Sequence, residues 1–326
     1  MCSVLIFLSL FALCRGRMEP IVLVHGGAGD IPDSRIAMKT IGVKTSAKIG
    51  YDVLKKGGTV LDAVEAAVRF MEGDEAFNAG YGSVLNLEGE VEMDASIMEG
   101  KTLKAGAVTI VKDIANPISL ARKVMEKTPH VLLAGAGANK FAKEQGIPTV
   151  PPGSLVTRYA IQALHDFAKT GEVRTEIGAK NSGEVGTVGA VAIDSQGRLA
   201  AATSTGGING KMVGRSSDTS IIGSGTYADD EVGAVSTTGH GETIAKYCLA
   251  HSIIKLMESG KSADEATKEA LEKMTARLKN TAGAITISRM GDVGIGFTSN
   301  RMSWAYQKGD KIYYGIEHNE THIENV

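Results

Sequence analysis

The run TVGAVAID, residues 187 to 194, admits few folds. Val188, Ala190 and Ala192 alternate with Gly189, Val191 and Ile193, and a short run of small and β-branched residues reads as a buried strand, which must sit inside a layered core. Directly before it stands TGEVRTEIGAKNSGEVG, residues 170–186, polar and poor in apolar side chains, which predicts an exposed, mobile linker. The chain passes from one to the other at Gly186–Thr187 with no transition. A β-branched threonine opening a strand is the ordinary account of Thr187.

The pattern on either side of this junction is mixed. Before it, strands are predicted at residues 21–25, 91–97 and 105–111, and helices at 35–56, 60–71, 118–127 and 155–169. After it, strands are predicted near 187–194, 199–204, 219–223 and 232–237, then helices over 242–258 and 263–279. A final strand group covers 283–288, 293–298 and 311–315. Successive strands followed by successive helices predict an α+β layered domain rather than a doubly wound parallel sheet. Forty glycines in 326 residues are well above the usual share of about 7%. They cluster after apolar segments, where backbone must approach something closely.

The 35 Lys and Arg nearly balance the 37 Asp and Glu, and there is no basic stripe interleaved with aromatics, which argues against a nucleic-acid partner. Residues 1–17 form a separate leader. Their apolar run, 3–14, is too short to span a bilayer but suits a signal-peptide core, although no Lys or Arg precedes it. Cys2 and Cys14 lie in this leader, leaving Cys248 alone in the body, so no disulfide framework exists. Cysteine usage thus points to a cytoplasmic protein; a secretory or lysosomal one is the alternative if residues 1–14 act as a signal peptide.

Several chemistries are poorly supported. IVLVHGGAG is a strand and a glycine turn, but it lacks the G-x-G-x-x-G spacing and the Lys-Ser or Lys-Thr of a phosphate loop. No G-x-S-x-G elbow accompanies it. The histidines form no H-E-x-x-H, and His318, Glu320 and His322 read as solvated rather than metal-bound. What remains is a density of Thr, Ser and Gly at strand ends: Thr203, Ser204 and Thr205 in ATSTGG, and Ser236, Thr237 and Thr238 in VSTTGHGE before a helix opened by Glu242. A glycine turn entering a helix presents free N–H groups to a carboxylate or oxyanion. Between them lies GRSSD, where Arg215 can pair with a carboxylate and Asp218 with an ammonium, the two charged groups of an amino acid.

A threonine hydroxyl is a weak nucleophile without a base. One base needs no neighbouring motif: the α-amino group of a threonine that is itself the first residue of a chain, with a pKa near 8. Cutting Gly186–Thr187 would create it, and Gly186 tolerates the strained geometry that such a cut requires.

HGGAG, FNAGYGSVLN, EVEMDASIM, GTVGAVAID, TSTGGINGKMVGR and GTYADDEVGAVSTTGHGE together resemble the plant-type asparaginase and isoaspartyl peptidase family of N-terminal-nucleophile hydrolases, from about residue 18 to the end. The resemblance implies a four-layer αββα sandwich, self-cleaved into an α segment (18–186) and a β segment (187–326) that form one intertwined domain. It also implies an αβ heterodimer and a dimer of such units. It makes Thr187 the nucleophile, Thr205 its support, Thr238 and Gly239 the oxyanion pair, and Asn78 the asparagine beside the nucleophile. Arg215 would hold the substrate α-carboxylate and Asp218 its α-amino group, with Ser216, Ser217, His240 and Gly241 lining the same pocket. It implies no cofactor, apart from a structural sodium ion held by backbone carbonyls between about Met71 and Gly80.

The implied reaction is hydrolysis of L-asparagine to L-aspartate and ammonia, and cleavage of β-aspartyl dipeptides. Within the fold the alternatives are a glycosylasparaginase, an endoprotease cutting after internal aspartate, and an unprocessed amino-acid-binding homologue. The family usually has glycine where this chain has Ser217. If that position required positive φ, Asp218 would be misaimed.

Overall fold

The computed structural model describes residues 18–170 and 186–326. The predicted leader, and the linker but for its ends, lie outside the described residues. The first segment runs β1 (Ile21–Gly29), α1 (Asp33–Lys55), α2 (Val60–Glu72), β2 (Met93–Glu99), β3 (Ala105–Val111), α3 (Pro117–Lys127), β4 (Leu132–Ala134), α4 (Gly135–Glu144) and α5 (Arg158–Thr170). The second begins with β5 (Val188–Ile193), β6 (Leu199–Thr205), a 3-10 turn (Asp218–Ser220), β7 (Thr226–Asp229) and β8 (Gly233–Gly239). It continues through α6 (Gly241–Tyr247), α7 (Leu249–Glu258), α8 (Ala263–Leu278), β9 (Ala282–Ser288), β10 (Val293–Phe297), β11 (Arg301–Lys308), β12 (Lys311–Gly315) and β13 (His322–Asn325).

Nine strands form one sheet in the order β13-β12-β11-β1-β5-β6-β2-β3-β4, and four form another in the order β10-β9-β8-β7. The period-2 alternation of each central strand explains how the layers stack. In β1, Val22 and Val24 join Val43, Ala47, Val64 and Val68 of α1 and α2 in one core, while Ile21 and Leu23 join Ile285 and Ile287 of β9 in another between the sheets. A third core packs α7 and α8 on the outside of the smaller sheet through Val235, Ile253, Leu271 and Ala284. The layers are therefore helix, sheet, sheet, helix, as expected from the sequence.

Small residues in β5 reflect the tightness of this arrangement. A Cβ on Gly189 would lie 1.9 Å from Ser236 Oγ and 2.4 Å from His25 Nε2. The apolar stripe of α1 carries two charged residues inward, Arg35 and Lys39, at helical spacing with Gly42, Val43 and Ser46. Helix α2 starts with a reciprocal capping box between Thr59 and Asp62.

Three expectations are corrected. The strand predicted at 219–223 is a turn: Ser217 Oγ accepts the Thr219 N–H and Gly225 N–H donates to Asp218 O, so the strand starts only at Thr226. The helix predicted over 242–258 breaks at Cys248, whose φ of 51° is left-handed, giving α6 and α7. Strand β11, absent from the sequence reading, lies between β1 and β12.

Candidate active site

Strands β5 and β6 pair antiparallel with Val188 opposite Ser204, so the next residues outward, Thr187 and Thr205, meet at the sheet end. Thr187 Oγ1 donates to Thr205 Oγ1 at 3.1 Å, and Gly207 N–H donates to the same oxygen at 3.0 Å. From the facing sheet, Thr238 Oγ1 accepts the backbone N–H groups of Thr187 and Ala28, each at 3.2 Å. A hydroxyl has two lone pairs and one proton. With both lone pairs engaged, the Thr238 O–H is left to donate, as an oxyanion site requires.

The HGGAG segment closes this corner. Pairing of β1 with β11 shifts register between His25 and Ala28, so Gly26 and Gly27 bulge out of the ladder. Gly27 has φ of 108°, and a Cβ on it would lie 2.6 Å from Gly186 Cα. The bulge therefore rests against the Gly186–Thr187 junction, backbone on backbone. Gly239, after Thr238, has φ of 123° and packs equally closely on Ala282.

Arg215 and Asp218 stand beside the first residue of α6. A Cβ on Gly241 would meet Asp218 Oδ1 at 2.6 Å and Arg215 Nη2 at 2.7 Å, so a glycine there leaves the two charged groups their place. Arg215 Nε donates to Glu242 Oε1 at 2.9 Å. Among the described residues, neither Arg215 Nη1 nor Asp218 Oδ2 has a hydrogen-bond partner. Burial raises the Asp218 pKa to about 7, against the opposing pull of Arg215. Ser217 has φ of −99°, which any residue adopts, and caps the turn that carries Asp218. Its replacement of glycine thus does not misaim the carboxylate. Ser216 points its hydroxyl to Thr109 at 2.6 Å and Ser220 at 3.0 Å. His240 Nδ1 is 2.6 Å from Thr243 Oγ1, and burial lowers its pKa.

Asn78 reaches Thr187 only through Gly207 and Thr205. Its Nδ2 donates to Gly207 O at 2.7 Å and its backbone carbonyl accepts Gly206 N–H at 3.0 Å, so it holds the turn whose Gly207 N–H meets Thr205.

The stretch from Met71 to Gly80, expected to offer carbonyls to a sodium ion, is a tight loop in which several carbonyls already have partners. Those of Phe70, Met71, Glu72 and Asp74 accept backbone N–H groups, and the Glu75 carbonyl accepts Arg35 Nη2. Gly80 closes the loop with a left-handed φ of 54°, and a Cβ there would run into the Glu72 carbonyl, so the position requires glycine. Its own carbonyl accepts Ser83 N–H at 3.3 Å. The Glu72 carboxylate turns away to Ser204, Ile118 N–H and Asn116. What is left for a cation is the second lone pair of these carbonyls together with the remaining main-chain oxygens of the loop, a donor set of the kind that suits a hard ion such as sodium. Among the described residues, no group of three His, Cys, Asp or Glu side chains could hold a metal. His318 stacks on Phe297, and His322 bonds to Glu320 at 2.6 Å.

Other residues of the site escaped sequence reading. Asp94 of β2 accepts from Ser217 N–H at 2.7 Å, Thr109 Oγ1 at 2.6 Å and Ile110 N–H at 2.9 Å, pinning the turn that carries Asp218. Lys211 Nζ donates to Glu92 O at 2.5 Å and Gly206 O at 2.9 Å, and burial lowers its pKa to about 8. Glu72 is buried beside Ser204, and loss of hydration raises its pKa to about 8. His25 Nε2 and Ser236 Oγ are 2.8 Å apart, and Ser236 continues to Thr203 at 2.8 Å. Burial lowers the His25 pKa to about 3, so the ring is neutral. The quoted motifs contain most of these residues, but their partners lie far along the chain or are backbone atoms, which leaves no local signal.

A family model described as Asparaginase matches residues 18–316. A Xenopus laevis protein named isoaspartyl peptidase/L-asparaginase is 51% identical over 308 residues, covering 94% of this chain and 98% of its own length. Proteins of the same name from Bos taurus and Danio rerio are 49% and 48% identical, covering 94% and 95% of this chain and 99% of their own lengths in each case. The αββα layering is accordingly that of the asparaginase family, to which this chain belongs.

Proposed function

We propose that this chain is an autocleaving threonine hydrolase that converts L-asparagine to L-aspartate and ammonia and cleaves β-aspartyl dipeptides. The observation that carries the reading is the convergence of Thr187, Thr205 and Thr238 on one junction, with Arg215 and Asp218 beside them. In maturation, Thr187 Oγ attacks the Gly186 carbonyl carbon and the peptide nitrogen leaves with the hydroxyl proton, giving an ester. Water then hydrolyses the ester to a Gly186 carboxylate and a Thr187 with free amine and hydroxyl.

The freed amine, with a pKa near 8, accepts the Oγ proton as Oγ attacks the side-chain amide of the substrate. The Thr238 O–H and Gly239 N–H stabilise the oxyanion, and the amine's proton passes to the departing ammonia or peptide amine. Water, losing a proton to the same amine, releases L-aspartate. Arg215 reads the α-carboxylate and Asp218 the α-ammonium, which excludes an aspartate inside a peptide chain. The names of the three relatives favour this substrate class over a sugar–asparagine amide. A sodium ion on the carbonyls between Met71 and Gly80 would brace that loop and takes no part in these steps.

The same reading extends to an αβ heterodimer that pairs into a dimer of αβ units, and to a cytoplasmic location on the strength of cysteine usage. Among the described residues, no helix is long and apolar enough to cross a membrane. N-terminal sequencing of the native protein tests the location. For the reaction, the purified chain is expected to resolve into residues 1–186 and 187–326 on a denaturing gel and to release ammonia from L-asparagine. Thr187→Ala should stay whole and lose at least about 10⁴-fold in turnover. A whole wild-type chain with undiminished activity would sink the mechanism.

A further inference from the structure

Lysine is seldom fully buried, and Lys39 of α1 has no exposed surface. Its Nζ donates to the Gly26 carbonyl at 2.8 Å, and lies 5.0 Å from the centre of the Phe77 ring. Phe77 belongs to the turn after α2 and packs so closely on α1 and β1 that a Cβ on Gly42 or Gly26 would lie 2.5 or 2.4 Å from its ring. The carbonyl that Lys39 grips is that of the bulge. The next residue, Gly27, touches Gly186, and the one after, Ala28, shares the Thr238 hydroxyl with the Thr187 N–H.

A Gly-Gly peptide has little steric preference of its own. Because the peptide unit is planar and trans, fixing the direction of the Gly26 carbonyl also fixes the Gly27 N–H, on the face away from Lys39. Among the described contacts, the grip on this carbonyl comes from Lys39 alone, whereas Thr187, Thr205 and Thr238 hold one another directly. Loss of the grip should therefore be felt most where Gly186 must be held against the bulge, during the cut, and least afterwards.

We propose that Lys39 is a positioning residue for maturation, pinning the Gly26–Gly27 peptide so that the Gly186 carbonyl is presented to the Thr187 hydroxyl. This rests on the cleavage reading above and goes beyond it: Lys39 touches none of the reacting atoms, and its role ends once the bond is broken. The aliphatic stem fills the space beside Phe77, so methionine preserves packing and removes the donor.

The test follows cleavage of the full-length chain with time, and separately the turnover of L-asparagine per cleaved chain. Lys39→Met is expected to slow cleavage by about tenfold or more while turnover per cleaved chain stays within about twofold of wild type. Lys39→Arg, which restores a donor, should cleave faster than Lys39→Met. Cleavage of Lys39→Met at the wild-type rate overturns the proposal, as does an equal fall in cleavage and in turnover per cleaved chain, which marks a general folding defect. If Lys39→Met is insoluble, Lys39→Gln, too short to reach the carbonyl, takes its place against Lys39→Arg; equal cleavage rates overturn the assignment. A wild-type chain that never cleaves refutes the underlying reading instead, whatever the variants do.

Discussion

Thr187, Thr205 and Thr238 meet at one corner of the sandwich as neutral hydroxyls: the lone pairs of Thr205 and Thr238 are engaged by backbone N–H groups and by the Thr187 hydroxyl, which itself only donates. Arg215 and Asp218, a short way along the same edge, are ionisable, half-buried and buried respectively, and keep a polar atom each with no partner among the described residues. The first corner has its hydroxyls in place as folded; on the proposed mechanism it lacks only the amine that the cut frees. The second carries a desolvation cost that a ligand with one carboxylate and one ammonium would offset. Reactivity and selectivity are thus built by different physics: preorganised hydroxyls in one place, incomplete charge pairing in the other.

That contrast can be broken from either side. Arg215→Leu leaves Asp218 and Glu242 without their cation and a bound substrate carboxylate without its partner; losing one side of such a charge pair, desolvated once the ligand is bound, costs about 2–5 kcal/mol, so kcat/KM should fall about a thousandfold. Cleavage of the chain should continue, and loss of cleavage in this variant would show that the corners are not separable. Thr238→Ala removes the O–H donor and the acceptor of the Thr187 N–H; kcat should drop about a hundredfold with KM little changed. A variant in which only KM rises would move Thr238 into the clamp.

The clamp should also titrate. Burial raises the Asp218 pKa to about 7, so the carboxyl is protonated below that pH and its attraction for an α-ammonium is lost as pH falls. KM for L-asparagine is expected to rise about tenfold per unit below pH 7. In Asp218→Asn, KM should be high and flat across the same range; a KM that titrates unchanged would assign the transition to another group. The smallest effect is expected at Ser217→Gly. The backbone there has φ of −99° and needs no glycine, so KM should change by less than about twofold. A large gain in affinity would mean that the serine restrains the Asp218 turn.

The sequence exposes the first corner more clearly than the second. Thr187 is visible because a polar linker meets a strand of small residues, and that boundary is a local property. Arg215 and Asp218 are visible as residue types, but the residues that aim them are not. Asp94 reaches Ser217 across 123 positions, and Lys211 bonds only to carbonyls. Lys39 is more hidden still: a lysine on an amphipathic helix belongs by default to the wet face, and its partner is a main-chain oxygen 13 residues earlier.

Among the elements, α1 and α2 follow their apolar periodicity, with α2 further marked by its capping box. Strand β11 escapes a sequence reading because RMSWAYQK mixes aromatic and charged residues with no plain alternation, and its place is fixed by pairing with β1. The break at Cys248 carries no Gly or Pro to announce it; the left-handed backbone there is a tertiary outcome.

The order of strands has a consequence for the lifetime of the cut molecule. Strand β1 precedes Gly186, yet lies between β11 and β5, both of which follow it; β6 in turn pairs with β2 from before the junction. The two products of cleavage are therefore braided through one sheet, and core packing holds them together without a covalent link. Unfolding would release two separate chains, whose recombination depends on concentration and must thread one through the other. Neither piece retains the continuous chain that guided the first folding. A mature molecule is consequently folded only once, and its working life is set by how slowly it unfolds rather than by a reversible equilibrium.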